Sequence, residues 1–190
     1  SIEENNMDIV LLEKLPKIAV YSPDGKQPWD DAVTLALTYA EIEYETVFDE
    51  EVLTNKLKEF DWLHLHHEDF TGQYGKFYKS YRNANWYKQQ VLDFNATATQ
   101  FGFSSVHELK KSIAVKIKEF VSNGGFLFAM CSATDSFDIA LAAINVDIAD
   151  TPFDGTPVEG GFAGKLNFTN GVAFENYQLY TDRKSTRLNS

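Results

Sequence analysis

Hydrophobic and polar positions alternate with two different periods along this chain, and residues 105–143 show both of them. The first part has a helical period, with apolar side chains at Ile113, Ile117, Phe120 and Val121. Ser105 followed by Glu108 has the form of a capping box and marks the helix start. Residues 126–130 then form a short uncharged apolar run, which predicts a strand buried on both faces.

A second helix is predicted after this strand, because Phe137, Ala140, Leu141 and Ile144 again keep helical spacing. The pattern places its start near Asp135, whose carboxylate would then serve as the N-cap. Cys131 falls in the turn between the strand and this helix. The stretch therefore predicts a helix, a strand, a cysteine-bearing turn and a second helix, in that order.

The same alternation is predicted upstream, where residues 17–21, 44–48 and 62–66 are compact runs that favour β-strands. Pro28 and Asp30 mark the start of a helix after the first run. Its predicted apolar stripe consists of Val33, Ala36, Leu37 and Ala40. Strands that alternate with helices predict parallel crossovers, so we expect one α/β domain in three layers. Its sheet should be mostly parallel and flavodoxin-like, with about five strands.

An insertion rich in aromatic residues, residues 68–104, separates the third strand from the stretch described first. Residues 85–100 within it are predicted to be helical. One interpretation is a lid or recognition surface for an anionic or sugar-like ligand, with Tyr74 covering the site. The other is an extra helix that packs its aromatic side chains on the domain. Beyond the insertion, Asn170-Gly171 between two β-prone runs predicts a hairpin.

Composition narrows the choice of partners. The 190 residues carry a formal net charge of −11, which argues against nucleic acid or an anionic membrane surface as the partner. A small-molecule ligand is the partner expected, no cofactor is indicated, and no apolar run is long enough to span a membrane. The single cysteine excludes an internal disulfide.

Residues 182–190 resemble an adapter-like non-native tail. We expect residues 1–181 to be one domain that is truncated at both ends.

Candidate chemistry collects where predicted strands end. Parallel sheets bind ligands at the carboxyl ends of their strands, because the loops there converge. The residues that this rule selects are Asp24 after the first strand, His66, His67 and Glu68 after the third, and Cys131 and Ser132 after the fourth. We expect them to surround one crevice.

Cys131 is the candidate nucleophile of this crevice. A side chain between a strand and a helix is held on a sharp turn, and the positive end of the helix stabilises both a thiolate and an oxyanion. Ala129 and Ala133 stand where such nucleophile elbows usually have glycine. The alternative is a buried cysteine that packs as a small apolar side chain. Alkylation below about pH 8 would indicate the former and inertness the latter.

Three histidines lie at or near the end of the third predicted strand, with two carboxylates at 68–69. His64 and His66 share one face of the strand by its period of two. Imidazoles and carboxylates in this position are typical ligands of a divalent metal ion, although they come from one segment only. Alternatively, His66 or His67 serves Cys131 as a general base, or the imidazoles are packed and hydrogen-bonded without a chemical role.

Four segments together resemble the class I glutamine amidotransferase-like superfamily, including its ThuA-like branch: KIAVYSPDG, YETVFDEEVL, DWLHLHHEDF and GGFLFAMCSATDSFDIALAA. The resemblance covers about residues 17–148. It implies that Cys131 attacks an amide or related carbonyl, helped by a histidine late in the chain. No histidine follows Cys131 in this sequence. We expect either that the histidine of the triad lies beyond Tyr180 in a longer chain, or that this branch of the superfamily does not use it.

The segments GKQPWDDAV and LHLHHEDFTGQYGKF also resemble a group of uncharacterised bacterial proteins labelled asparagine synthetase B. Residues 131–136, CSATDS, follow a strand as the S-G-G-x-D-S loop of ATP pyrophosphatases does, with Ser132 and Ala133 in place of its glycines. Three functions therefore stay open: an amidotransferase-like enzyme that uses Cys131, a non-catalytic ligand-binding or scaffold module of the same fold, and an ATP-dependent synthetase.

Overall fold

A computed structural model describes residues 15–23, 32–74 and 77–179 of the chain. Asp24, the predicted helix start at Pro28 and Asp30, and the predicted tail at 182–190 lie outside the described residues. The described part contains four strands: β1 (Ile18–Tyr21), β2 (Tyr44–Val47), β3 (Trp62–Leu65) and β4 (Phe126–Ala129).

All four strands are parallel and lie in the order β2-β1-β3-β4. Trp62 on β3 is in register with Ile18 on β1 and with Phe126 on β4. The prediction that the first, third and cysteine-bearing strands are neighbours in one parallel sheet is therefore confirmed. The chain steps from β1 to one side and then to the other, and open α/β sheets place their ligand sites at such a reversal.

Seven α-helices accompany the sheet in the described part of the chain: α1 (Ala32–Tyr39), α2 (Asp49–Leu53), α3 (Phe77–Tyr81), α4 (Asn85–Gln100), α5 (Val106–Ser122), α6 (Cys131–Ala142) and α7 (Thr151–Asp154). None of these helices has the length and apolar character needed to cross a membrane. Because crossovers between parallel strands are right-handed, α1 lies on the face of the sheet opposite α2 and α5. The protein is thus a three-layer α/β domain of flavodoxin-like plan, as predicted.

The main core lies between the sheet and α5. Leu63 and Leu65 on β3 pack in one cluster with Leu109, Ile113 and Ile117 of α5, and all of them are 0% exposed. Burial of each such side chain contributes about 1.5–3 kcal/mol. The serine half of the capping box predicted at the start of α5 is present. The Ser105 hydroxyl accepts the backbone N–H of Glu108 at 3.2 Å.

The prediction that β4 is buried on both faces is wrong. Phe126 is 57% exposed and Phe128 is 38% exposed, and the period of two along the strand places both side chains on one face of the sheet. The sheet has four strands among the described residues, where about five were expected for the whole chain. The uncharged apolar run of β4 did not reveal that one face of this strand is exposed.

The hairpin predicted around Asn170-Gly171 is also wrong. Phe168–Asn170 forms a 3₁₀ helix, and no strand occurs between α6 and residue 179. The backbone N–H groups of Val172, Ala173 and Phe174 donate to the carboxylate of Asp138 on α6. These donors are therefore satisfied by a side chain of the neighbouring helix, so they do not pair with a second strand.

Helix α1 departs from the stripe predicted for it. Leu37 of that stripe is buried, whereas Ala36 and Ala40 are exposed. Thr34, which is not part of the predicted stripe, is buried as well. Small alanine side chains carry little information about which face of a helix is covered, so the apolar period placed the helix correctly and its buried face only in part.

Candidate functional site

The loop after β3 contacts the first turn of α6 at the carboxyl edge of the sheet. The Ala133 N–H donates to the His66 carbonyl at 3.2 Å. The Ser132 hydroxyl donates to the His67 carbonyl at 2.9 Å. These contacts bring together two of the three chain segments that were predicted to share a crevice.

Ser136, one turn further along α6, makes the second connection between these segments. Its hydroxyl donates to the Glu68 carbonyl at 2.9 Å and accepts the Phe70 N–H at 3.2 Å. Ser136 is 3% exposed, so both hydrogen bonds form away from solvent. The path of residues 66–70 is thereby fixed relative to the helix that begins with the cysteine.

Cys131 is exposed and is the first residue of α6. Its backbone lies in the left-handed region, with φ of 51°. This conformation costs a residue other than glycine about 1–3 kcal/mol, and such strain is concentrated at functional sites. The first-turn N–H groups of α6 lack intrahelical acceptors and carry the positive end of the helix dipole. The interpretation of Cys131 as a buried apolar side chain is therefore wrong.

The start of α6 differs from the prediction. The helix begins at Cys131 with Met130 as the N-cap residue, so the predicted start near Asp135 is wrong. Asp135 is an exposed residue inside the helix and does not cap it. The segment CSATDS is consequently helical from its first residue. It lacks the extended loop that lets backbone N–H groups surround a pyrophosphate.

The side chains of the β3 loop differ in their surroundings. The Glu68 carboxylate accepts the backbone N–H of His66 at 2.8 Å, which fixes this carboxylate at the edge of the sheet. The rings of His66 and His67 have centroids 3.6 Å apart, and His67 is exposed. His64 is 0% exposed, and its ring lies 6.2 Å from that of His66. Of these imidazoles, His66 and His67 remain candidates for proton transfer.

The metal interpretation gains no support from this arrangement. Within residues 15–23, 32–74 and 77–179, no group of three or more His, Cys, Asp or Glu side chains is arranged to hold a metal ion. The ligands suggested by the sequence all come from one loop. A metal ion needs several converging ligands from positioned side chains.

A buried ionic cluster lies at the end of β1, and the sequence reasoning missed it. The Lys110 ammonium donates to both carboxylate oxygens of Asp49, at 2.7 Å and 2.9 Å, and to the Tyr21 hydroxyl oxygen at 3.0 Å. The Tyr21 hydroxyl donates to Asp49. Burial raises the pKa of Tyr21, and the charges of Asp49 and Glu68 raise it further, so the phenol stays protonated.

The sequence contained one signal for this cluster. Lys110 occurs within the apolar face of α5, between Leu109 and Ile113, where a lysine interrupts the stripe. A charged residue at such a position is buried only when it is paired. The partner was not predictable, because Asp49 is 61 residues away along the chain.

Tyr74, predicted to cover the crevice, contacts the insertion helix α4. Its ring stacks on Phe94 with centroids 6.0 Å apart and planes 5° apart, and its hydroxyl oxygen accepts the side-chain N–H of Asn95 at 3.1 Å. Phe94 in turn lies 5.8 Å from Phe48, which follows β2. The interpretation of the insertion as a helix that packs aromatic side chains on the domain is confirmed for these rings.

Comparison with protein-family models, curated proteins and solved structures found no match for this chain. The resemblance to the amidotransferase-like superfamily therefore stays a prediction from the motifs. At the carboxyl edge, the structure places His66, His67, Glu68, Ser132 and Cys131 on two segments in contact.

Proposed function

We propose that this protein cleaves or transfers amides through Cys131. The observation that carries the proposal is the exposed thiol on a residue with φ of 51° between a parallel strand and a helix. A strained residue of this kind directs its side chain away from the sheet, toward solvent and substrate. The motif resemblance named above points to the same reaction class.

The proposed reaction has two steps. The thiolate of Cys131 attacks the amide carbon, a C–S bond forms, and the C–N bond breaks as the nitrogen takes a proton and leaves as ammonia. Water, or a second amine, then attacks the thioester and releases the thiol with a carboxylate or a new amide. The backbone N–H of Ser132, the residue after the nucleophile, stabilises the oxyanion of the tetrahedral intermediate.

His66 or His67 is the general base in this proposal. Both carbonyls are bonded to the first turn of α6, so both imidazoles lie on the segment next to the nucleophile. Glu68 lies on the same loop, and its carboxylate accepts the backbone N–H of His66. This arrangement supplies a base from the loop before the nucleophile, whereas active members of the superfamily that the motifs resemble use a later histidine.

Ammonia release from L-glutamine, with hydroxylamine added to intercept a thioester, tests the proposal. We expect the wild-type protein to release ammonia and form a hydroxamate, and Cys131→Ala to lose both by about a thousandfold or more. Ser132→Ala is the matched control. It keeps the backbone N–H and removes only a hydroxyl bonded to the His67 carbonyl, so most activity should remain.

Failure of the wild-type protein to release ammonia or form a hydroxamate would contradict the proposal. The protein would then be the second candidate, a non-catalytic ligand-binding module of the same fold. No observation supports the synthetase, because the segment CSATDS forms the start of a helix.

A further inference from the structure

Helix α4 lies over the part of the carboxyl edge formed by β1 and β2. Its Phe94 ring is 5.8 Å from Phe48, the residue directly after β2. Of its 16 residues only Tyr87 and Ala98 are buried, and Tyr74 stacks on Phe94 and accepts a hydrogen bond from Asn95. Segments with few buried contacts open locally at lower free energy than the core.

A buried cation holds this helix in place. The Lys110 ammonium lies 4.8 Å from the centroid of the Phe94 ring and 4.5 Å from that of Phe48. Its charge is already balanced by Asp49 through two hydrogen bonds. Asp49 therefore fixes Lys110 independently of α4. Phe94 supplies the aromatic face through which α4 contacts the cation.

Tyr87 opposes this attachment. The residue is 4% exposed, yet its hydroxyl has no hydrogen-bond partner among the described residues. Burial raises the pKa of Tyr87, which is consistent with a phenol kept from water. A buried hydroxyl without a partner destabilises the packed position, and the penalty disappears when the helix opens and water reaches the oxygen.

The ends of α4 allow such an opening. Gly102, two residues after the helix, has φ of 78°, and a side chain there would meet nothing within 4 Å. A turn at residues 82–84 precedes the helix. Both flanks are turn segments outside the helix, where hinge positions that absorb changes in backbone angles usually lie.

We propose that α4 is a lid that opens as a unit from the β1–β2 half of the carboxyl edge, held closed by Phe94 on Lys110 and favoured to open by the unpaired Tyr87 hydroxyl. Opening exposes the Tyr21–Asp49–Lys110 cluster and gives ligands access to that half of the edge. The inference does not depend on any reaction at Cys131.

Native-state hydrogen exchange of the full chain, followed by mass spectrometry of peptides, tests the lid. Phe94→Leu keeps an apolar side chain but removes the aromatic face, so amides of α4 should exchange about tenfold faster. Tyr87→Phe removes the unpaired hydroxyl, so the same amides should exchange several-fold more slowly. Amides of β1, β3 and α5 should be unchanged in both variants.

Leu92→Ala is the matched control, because Leu92 is 63% exposed on the same helix and both residues favour helices. It should leave exchange in α4 unchanged. The proposal is overturned if α4 exchanges as slowly as β3 in the wild-type protein. It is also overturned if Tyr87→Phe fails to slow exchange in α4, or if Phe94→Leu accelerates all peptides equally.

Discussion

Lys110→Met is expected to lower the free energy of unfolding by about 3–5 kcal/mol. The Asp49 carboxylate, which is 1% exposed, would lose both hydrogen bonds from the ammonium and remain buried beside Tyr21 without a compensating charge. The cation that packs on Phe48 and Phe94 would be lost as well. Urea unfolding followed by fluorescence measures the change.

Lys116→Met on the solvent side of α5 is the control for this prediction. Lys116 pairs with Glu119 at 3.1 Å, and both side chains are substantially exposed. The loss of such a surface pair should change stability by no more than about 0.5 kcal/mol. Equal stabilities for the two variants would show that the cluster is not the buried ionic network described above.

Asp138→Ala is expected to cost about 2–3 kcal/mol, because three backbone donors lose one acceptor. The carboxylate is 1% exposed and accepts N–H groups of Val172, Ala173 and Phe174 at 2.8, 2.8 and 2.5 Å. Segment 171–179 should then become accessible to proteases while the sheet stays folded. Limited proteolysis and urea unfolding together measure both effects.

Asp138→Asn is the matched variant, since its amide oxygen still accepts hydrogen bonds, and it should destabilise the protein less than Asp138→Ala.

The Tyr177 phenol gives an independent spectroscopic signal. Burial, together with the charge of Asp138, raises the pKa of Tyr177 to about 12. Loss of that charge should bring the titration of Tyr177 closer to its ordinary range. An unchanged titration and full protease resistance would contradict this role for Asp138.

The parts of the fold that local sequence determines were predictable. Residues 85–100 were expected to be helical and form α4 with these bounds, because a helix in an insertion depends mainly on its own sequence. Ser105 was expected to cap α5, and its hydroxyl does so. Local chemistry fixes both features, so no knowledge of distant residues was needed.

The parts that depend on distant residues were not predictable. Phe126 and Phe128 lie on an exposed face of β4, and an apolar run does not reveal which face of a strand other elements cover. The start of α6 was misplaced because Cys131 adopts a left-handed backbone that propensity assigns to glycine. Lys110 was missed because its partner comes from another part of the chain.

The candidate site was likewise predictable only in part. Its location followed from the rule that ligands bind at the carboxyl ends of parallel strands, and the loop after β3 does contact the start of α6. The hydrogen bonds that join these segments, from Ser132 and Ser136, required the tertiary structure. Ser132 was expected at the crevice, and its hydroxyl is bonded to the His67 carbonyl of the neighbouring loop.

The rate at which iodoacetamide alkylates Cys131 is the most direct test of an activated thiol on a strained turn. Since the chain has one cysteine, the same protein unfolded in urea supplies the reference rate. Between about pH 6 and pH 7, the native protein should react about tenfold faster or more, because the helix terminus stabilises the thiolate. Native protein that reacts more slowly than unfolded protein throughout this range would contradict the account.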